Sequence, residues 1–218
     1  MRRRLYLVRH AEVTYAGADA PEDVRLTERG LEQAASARDA LADVEFDLVV
    51  TSALPRTIET AEQIVTGATA EHWSDLDEWR GGQLTEIPPE ELEEAFVGAL
   101  RLQEEHERFL GGETLGEALD RVHRAIERLV ARDWHTALAV LHGGVNRIIL
   151  SYALTGGARA YYGGFEQAPA CINVLDLGET GWIVRTVNYI PYDPLHPART
   201  TTMEEYWEEL KGWFGRES

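Results

Sequence analysis

The sequence predicts an α/β protein built in three layers, α/β/α, around a mostly parallel central sheet, with a helical lid inserted at 83–111. Three observations predict it. Short apolar runs at 5–8, 46–51 and 136–141 have the length and composition of strands buried on both faces of a sheet. Helical segments separate them, the alternation that builds parallel sheets. Each run also ends abruptly in a polar motif: Arg9-His10 after the first, 52–61 after the second, and His142-Gly143-Gly144 after the third. Open α/β sheets bind ligands in the crevice at the carboxyl ends of their strands, so these motifs are expected to meet there.

Taken in order, the first run follows Met1-Arg2-Arg3-Arg4 and presents Arg9 and His10 at its end. Residues 11–25 form a loop marked by Gly17 and Pro21. Leu26-Thr27-Glu28-Arg29-Gly30 then opens a helix running to Ala42, with Thr27 as its cap. After the strand at 46–51, Pro55 suits a first helical turn, where its missing amide would have no partner anyway. Arg56 follows it at a helix start, where the dipole favours an anion, and a cation makes sense there if an anion binds beside it. Viewed alone it could instead be a surface arginine pairing with Glu59 or Glu62. A strand near 70–73 precedes Asp75, Asp77 and Glu78. Glu78 lies between a strand end and the Gly81-Gly82 turn and can project into the crevice, although such a cluster is commonly a solvated acidic loop.

Residues 88–110 read as one long helix, with Leu92, Phe96, Ala99 and Leu100 on one face and many glutamates elsewhere. As an excursion between sheet elements it is expected to be the lid. Leu115, Leu119, Val122, Ile126 and Leu129 have core spacing on the next helix. His106 and His123 have no partners at metal-ligand spacing and read as surface residues. Another helical segment, 145–154, follows the glycines after His142, which free amide groups for an anion. Runs at 171–177 and 182–187, joined by a 178–181 turn, read as an antiparallel hairpin at the sheet edge, with Cys171 in the core. In a C-terminal helix at 198–218, Met203, Tyr206, Trp207, Leu210, Trp213 and Phe214 share one face. That stripe is too apolar for water; it packs on the chain's own body or on a second copy, as in a homodimer.

Bulk properties bound the function. With 218 residues and 44% hydrophobic content, the chain can bury one sizeable core. A net charge of −17 argues against nucleic acid or an anionic membrane as partner. Lys211 is the only lysine, so the cations are almost all arginines, and the lone Cys171 rules out an internal disulfide framework. No apolar run is long enough to span a membrane. The four apolar residues between Arg4 and Arg9 are too few for a signal-peptide core, so the expected location is the cytoplasm.

The chemistry starts from Arg9 and His10. An arginine fork recognises a phosphate dianion, and a neutral imidazole beside it is a competent nucleophile, which suggests phosphoryl transfer through a phosphohistidine. The bland alternative is that Arg9 pairs with an acid and His10 merely caps the strand. A second strand delivering a second histidine, His142, favours the chemical reading. The ordered set of Arg9-His10-Ala11, Leu26 to Gly30, the segment around Arg56, Glu78, Gly112-Glu113-Thr114 and His142-Gly143-Gly144 resembles the histidine phosphatase superfamily, in the branch of cofactor-dependent phosphoglycerate mutases and their phosphatase relatives. The resemblance covers about two-thirds of the chain, to about Leu150.

The resemblance implies a single histidine-phosphatase-like domain in which His10 attacks phosphorus and Arg9, Arg56 and His142 hold the phosphate oxygens. Glu78 would protonate the leaving oxygen and then activate water, with Asp77 as its substitute should the local register differ. It implies no metal and no cofactor. Two departures bear on the substrate. Ala11 stands where the family usually has glycine, tolerable unless that backbone needs positive φ. Val13 and Ala16 replace polar residues common in mutases, and Glu90, Glu91, Glu93, Glu94, Glu104 and Glu105 make the lid hostile to a polyanion. The expected activity is therefore a metal-independent phosphomonoesterase acting on a small phosphorylated metabolite. Mutase-type phosphoryl transfer, or a non-catalytic member binding a phospholigand or a protein, are the alternatives.

Overall fold

A computed structural model describes residues 2–15, 21–82, 87–101 and 103–214. Ala16, Gly17, the lid residues 83–86 and the end of the C-terminal segment, 215–218, lie outside the described residues. The strands are β1 (Arg3–Arg9), β2 (Leu48–Thr51), β3 (Glu71–His72), β4 (Thr136–Leu141), β5 (Ile172–Gly178) and β6 (Gly181–Tyr189). They form one sheet in the order β3-β2-β4-β1-β5-β6. The first four run parallel, while β5 and β6 are antiparallel to their neighbours. The helices are α1 (Glu28–Ala40), α2 (Pro55–Ile64), α3 (Leu92–Val97), α4 (Leu115–Val130), α5 (Gly143–Thr155) and α6 (Thr202–Phe214).

The apolar runs work as expected for doubly covered strands. Leu5, Leu7, Leu48, Val50, Ala137, Ala139 and Leu141 face α4 and α5 in one core. Val8, Val49, Leu138 and Val140 face α1 and α2 in the other. Successive residues alternate between two apolar layers, which is why these strands show no polar periodicity. The hairpin is present, with Gly178 opposite Gly181 and Gly181 at φ 106° in the left-handed region. Of the two hairpin strands β6 lies at an edge of the sheet, while β5 is an interior strand against β1. Cys171 is fully buried, and burial pushes its thiol up to about 12.

Two expectations are corrected. The long helix at 88–110 is absent: α3 covers six residues, a 3-10 turn continues to Leu100, residues 103–107 are not helical, and a bridge joins Arg108 to Thr114. Its apolar stripe ends at Leu100, so only the stretch with a packing partner stays helical. That partner is α6, where Phe96 meets Trp207 at 6.0 Å between ring centroids. His123 is the second correction. It is half-buried, edge-on to Tyr152 at 4.9 Å, because it lies beside the buried stripe of α4. His106 is exposed as expected.

The part of the C-terminal stripe around Tyr206 and Trp207 packs in cis. Trp207 is buried against α3, and Tyr206 reaches Arg9. No helix among the described residues is long and apolar enough to cross a membrane.

Candidate active site

Strand register assembles the site. β1 and β4 pair in parallel with Arg9 opposite Leu141, and the His10 amide donates to the Leu141 carbonyl at 2.8 Å. The next residue of each strand is a histidine, so the two imidazoles emerge side by side. Their ring centroids are 5.2 Å apart at 64°.

Each ring is oriented by a different partner. His10 Nδ1 lies 2.8 Å from the Ala11 carbonyl oxygen, which can only accept, so the proton sits on Nδ1 and the lone pair on Nε2. Ala11 is held in turn by its own amide, which donates to Thr60 Oγ1 at 3.0 Å. Ala11 is not among the residues with positive φ, so its methyl group sits without strain where the family usually has glycine. His142 Nε2 lies 2.8 Å from Ser52 Oγ. The Thr57 hydroxyl donates to Leu54 O at 2.8 Å, so Ser52 donates to Thr57 Oγ1 and accepts from His142 Nε2–H. Among the described residues, the buried His142 Nδ1 has no hydrogen-bond partner.

Around the rings stand two guanidinium groups. Arg9 ends β1 and Arg56 is the second residue of α2, and they are only 5% and 4% exposed. Burying arginine so deeply is costly unless an anion is to be met. Arg9 donates to the Gln167 carbonyl and, at 3.3 Å, to the Tyr206 hydroxyl, both uncharged, and its Nε has no partner among the described residues. Glu59, the proposed surface mate of Arg56, is engaged by Arg25 and the Leu26 amide instead. Burial, reinforced by Arg56 and Arg9, holds both His10 and His142 well below the ordinary histidine range, so both are neutral. An arriving phosphate dianion would reverse the sign of that field and favour a proton on His142 Nδ1.

Glu78 completes the group. Its carboxylate accepts from the amides of Trp79 at 2.9 Å, Gly144 at 3.1 Å and Val145 at 3.3 Å, at the N-terminal end of α5. A Cβ on Gly144 would lie 2.7 Å from Glu78 Oε1, so glycine is needed for this approach. Asp77 has a structural task, accepting from the Ala53 amide at 2.9 Å to tie the 74–78 segment to the β2–α2 loop. It does not stand in for Glu78.

The structure adds residues that the sequence reading missed. Arg121, on the buried stripe of α4, grips the carbonyls of Asp75, Asp77 and Glu78 and pairs with Glu113 at 2.7 Å. This clamp fixes the backbone that carries Glu78. Its signal was available: an arginine at core spacing between Ala118 and Val122. Gln167 comes from a segment with no readable motif, and Tyr206 was visible only as one member of the apolar stripe of the C-terminal helix. Among the described residues, no group of three or more histidine, cysteine, aspartate or glutamate side chains gathers as a metal site.

The family model for the histidine phosphatase superfamily (branch 1) matches residues 5–190. A relative in Arabidopsis thaliana, named "Probable 2-carboxy-D-arabinitol-1-phosphatase", is 28% identical over 88% of this chain, which spans 43% of that protein. Phosphoserine phosphatase 1 of Hydrogenobacter thermophilus is 28% identical over 85% of this chain and 92% of its own length. Among solved structures, the α-ribazole phosphatase of Shigella flexneri superposes with a TM-score of 0.68 at 27% identity, over 85% of this chain and 96% of that one.

Proposed function

The chain belongs to the histidine phosphatase superfamily, and from that membership we propose that it is a phosphomonoesterase acting through a phosphohistidine on a small phosphorylated metabolite. His10 Nε2 attacks phosphorus in line; the P–O bond to the alcohol breaks, and Glu78 donates the proton that the departing oxygen takes up. Water, deprotonated by Glu78, then cleaves the P–N bond and releases inorganic phosphate. Arg9, Arg56 and a protonated His142 hold the equatorial oxygens through both steps, the electrostatic role that dominates phosphoryl transfer.

One observation carries the proposal: two neutral imidazoles 5.2 Å apart, one with its lone pair fixed on Nε2, lie with two buried arginines. A binding module needs the arginines but has no use for a nucleophile of fixed tautomer. The named relatives are phosphatases of phosphoserine, α-ribazole and 2-carboxy-D-arabinitol phosphate, chemically diverse alcohols that share a phosphate. The phosphate end of the site is therefore the part that transfers by family.

The test is turnover of p-nitrophenyl phosphate. The protein is expected to release phosphate without added metal, to keep its rate in a chelator and to be inhibited by vanadate. His10→Ala is expected to lose at least about 10⁴-fold in kcat, as removal of a covalent nucleophile does. Retained activity in that variant overturns the mechanism.

A further inference from the structure

The mouth of the site is built by two segments far apart in the chain. Tyr15 follows His10 by five residues, and its ring meets Tyr206 of α6 edge-on, 5.6 Å between centroids at 85°. Tyr206 in turn lies over Arg9, its hydroxyl accepting from Nη2 at 3.3 Å and its ring 5.8 Å from the guanidinium carbon. The two segments are tied again where the Thr14 hydroxyl donates to Glu209 at 2.5 Å. At its start α6 is anchored by Glu166, which accepts from the Thr202 amide at 3.1 Å and the Thr202 hydroxyl at 2.9 Å.

The position of this aromatic pair says which part of a substrate it meets. The Tyr15 phenol lies within electrostatic reach of Arg56 and Arg9, which hold the phosphate, and of Glu78, which serves the leaving oxygen. Arg9 is buried and Tyr15 is exposed, so the aromatic pair stands between the phosphate-binding arginine and solvent, along the path the alcohol must occupy. An ordinary phenol titrates near 10, and burial raises Tyr206 further, so both remain uncharged phenols at neutral pH. The outer surface of α3 and α6 carries more acid than base: Glu93 and Glu205 are exposed beside the Arg101–Glu94 and Lys211–Glu208 pairs, a net negative field that opposes a second anionic group on the substrate.

We propose that Tyr15 and Tyr206 form the wall against which the alcohol of the ester lies, and that the site selects phosphate monoesters whose alcohol carries a flat, uncharged ring over compact acidic ones. The proposal rests on the phosphatase reading above. Tyr206 is at the same time a positioning residue for Arg9, because its hydroxyl holds one arm of the guanidinium.

The experiment compares kcat/KM for three primary alkyl esters of similar leaving ability: 2-phenylethyl phosphate, glycerol 3-phosphate and 3-phosphoglycerate. The ring ester is expected to lead glycerol 3-phosphate by about 10-fold, the scale of one well-made aromatic contact, with 3-phosphoglycerate last. Tyr15→Ala is expected to reduce that lead to about threefold or less. Tyr206→Phe keeps the ring and is expected to preserve the lead, while KM for all three esters and Ki for inorganic phosphate rise together by about threefold, the effect of one modest hydrogen bond. Turnover with no ring preference, or a preference untouched by Tyr15→Ala, overturns the proposal alone. Turnover of p-nitrophenyl phosphate but of none of the three esters also overturns the proposal alone, and no turnover of p-nitrophenyl phosphate either overturns the phosphatase reading with it.

Discussion

The two ends of the central strands treat arginine in opposite ways. At the amino ends, Arg4 donates to Asp176 at 2.8 and 3.2 Å, Arg185 donates to the same carboxylate at 2.8 Å, and Arg3 donates to the carbonyls of Val130 and Arg132. Arg4 and Arg185 stay nearly half exposed there, while the carboxylate between them is only 3% exposed. At the carboxyl ends, Arg9 and Arg56 are buried, and the hydrogen bonds of Arg9 go to a carbonyl and a phenol. An arginine whose charge is already balanced serves the fold. Arg9, whose hydrogen bonds among the described residues go only to neutral groups, keeps its charge for something that arrives.

This contrast can be broken most directly at Arg9. Arg9→Ala is expected to lower kcat/KM by about 10² to 10³, the cost of removing one donor to the charge that develops on the reacting group. Because an uncompensated buried charge is removed at the same time, its urea midpoint should stay at or above that of the wild type. A large loss of stability in that variant would place Arg9 with the structural arginines.

Arg121 sharpens the same contrast from the other side, since it is a buried arginine that is paired, with Glu113. Arg121→Ala is expected to cost about 3 kcal/mol of unfolding free energy, as breaking a buried pair does, and to lower kcat because the backbone carrying Glu78 loses its clamp. Urea unfolding and phosphate release on one preparation measure both.

The pH dependence comes next. His10 and His142 have folded pKa values well below the ordinary 6.5. The unfolded chain therefore takes up protons that the native site refuses, and stability present above about pH 6.5 is lost as pH falls below it. Each histidine contributes a slope of up to about 1.4 kcal/mol per pH unit. Saturating inorganic phosphate should flatten the slope by favouring the protonated rings, and His10→Ala should remove about half of it. Equal slopes with and without phosphate would show that the rings do not sense the anion.

The smallest effect is expected at Arg4. Arg4→Ala should leave kcat/KM within about twofold and cost about 1 kcal/mol, the scale of a half-exposed ion pair whose carboxylate keeps a second arginine.

Much of this was legible without coordinates. The strand runs and the motifs at their ends specify two covered faces and one crevice, because alternation between apolar layers and termination in charge are local properties. Arg9, His10, Arg56, Glu78 and His142 could be named for the same reason. The segment at 88–110 misled because its stripe measures amphipathicity, whereas a helix persists only where a partner covers it, and α6 covers one turn. Arg121 hid among leucines, since core spacing does not say whether a charge finds carbonyls to grip.

The amino-acid order by itself determined which residues face the layers and which motifs close the strands, since pleat and apolar patterning act over a few residues. Tertiary structure alone decided that Leu141 pairs with Arg9, which sets the two histidines abreast, and that α6 folds back to place Tyr206 over Arg9. Contacts between residues more than a hundred positions apart depend on how whole elements pack, and no short window of sequence contains them.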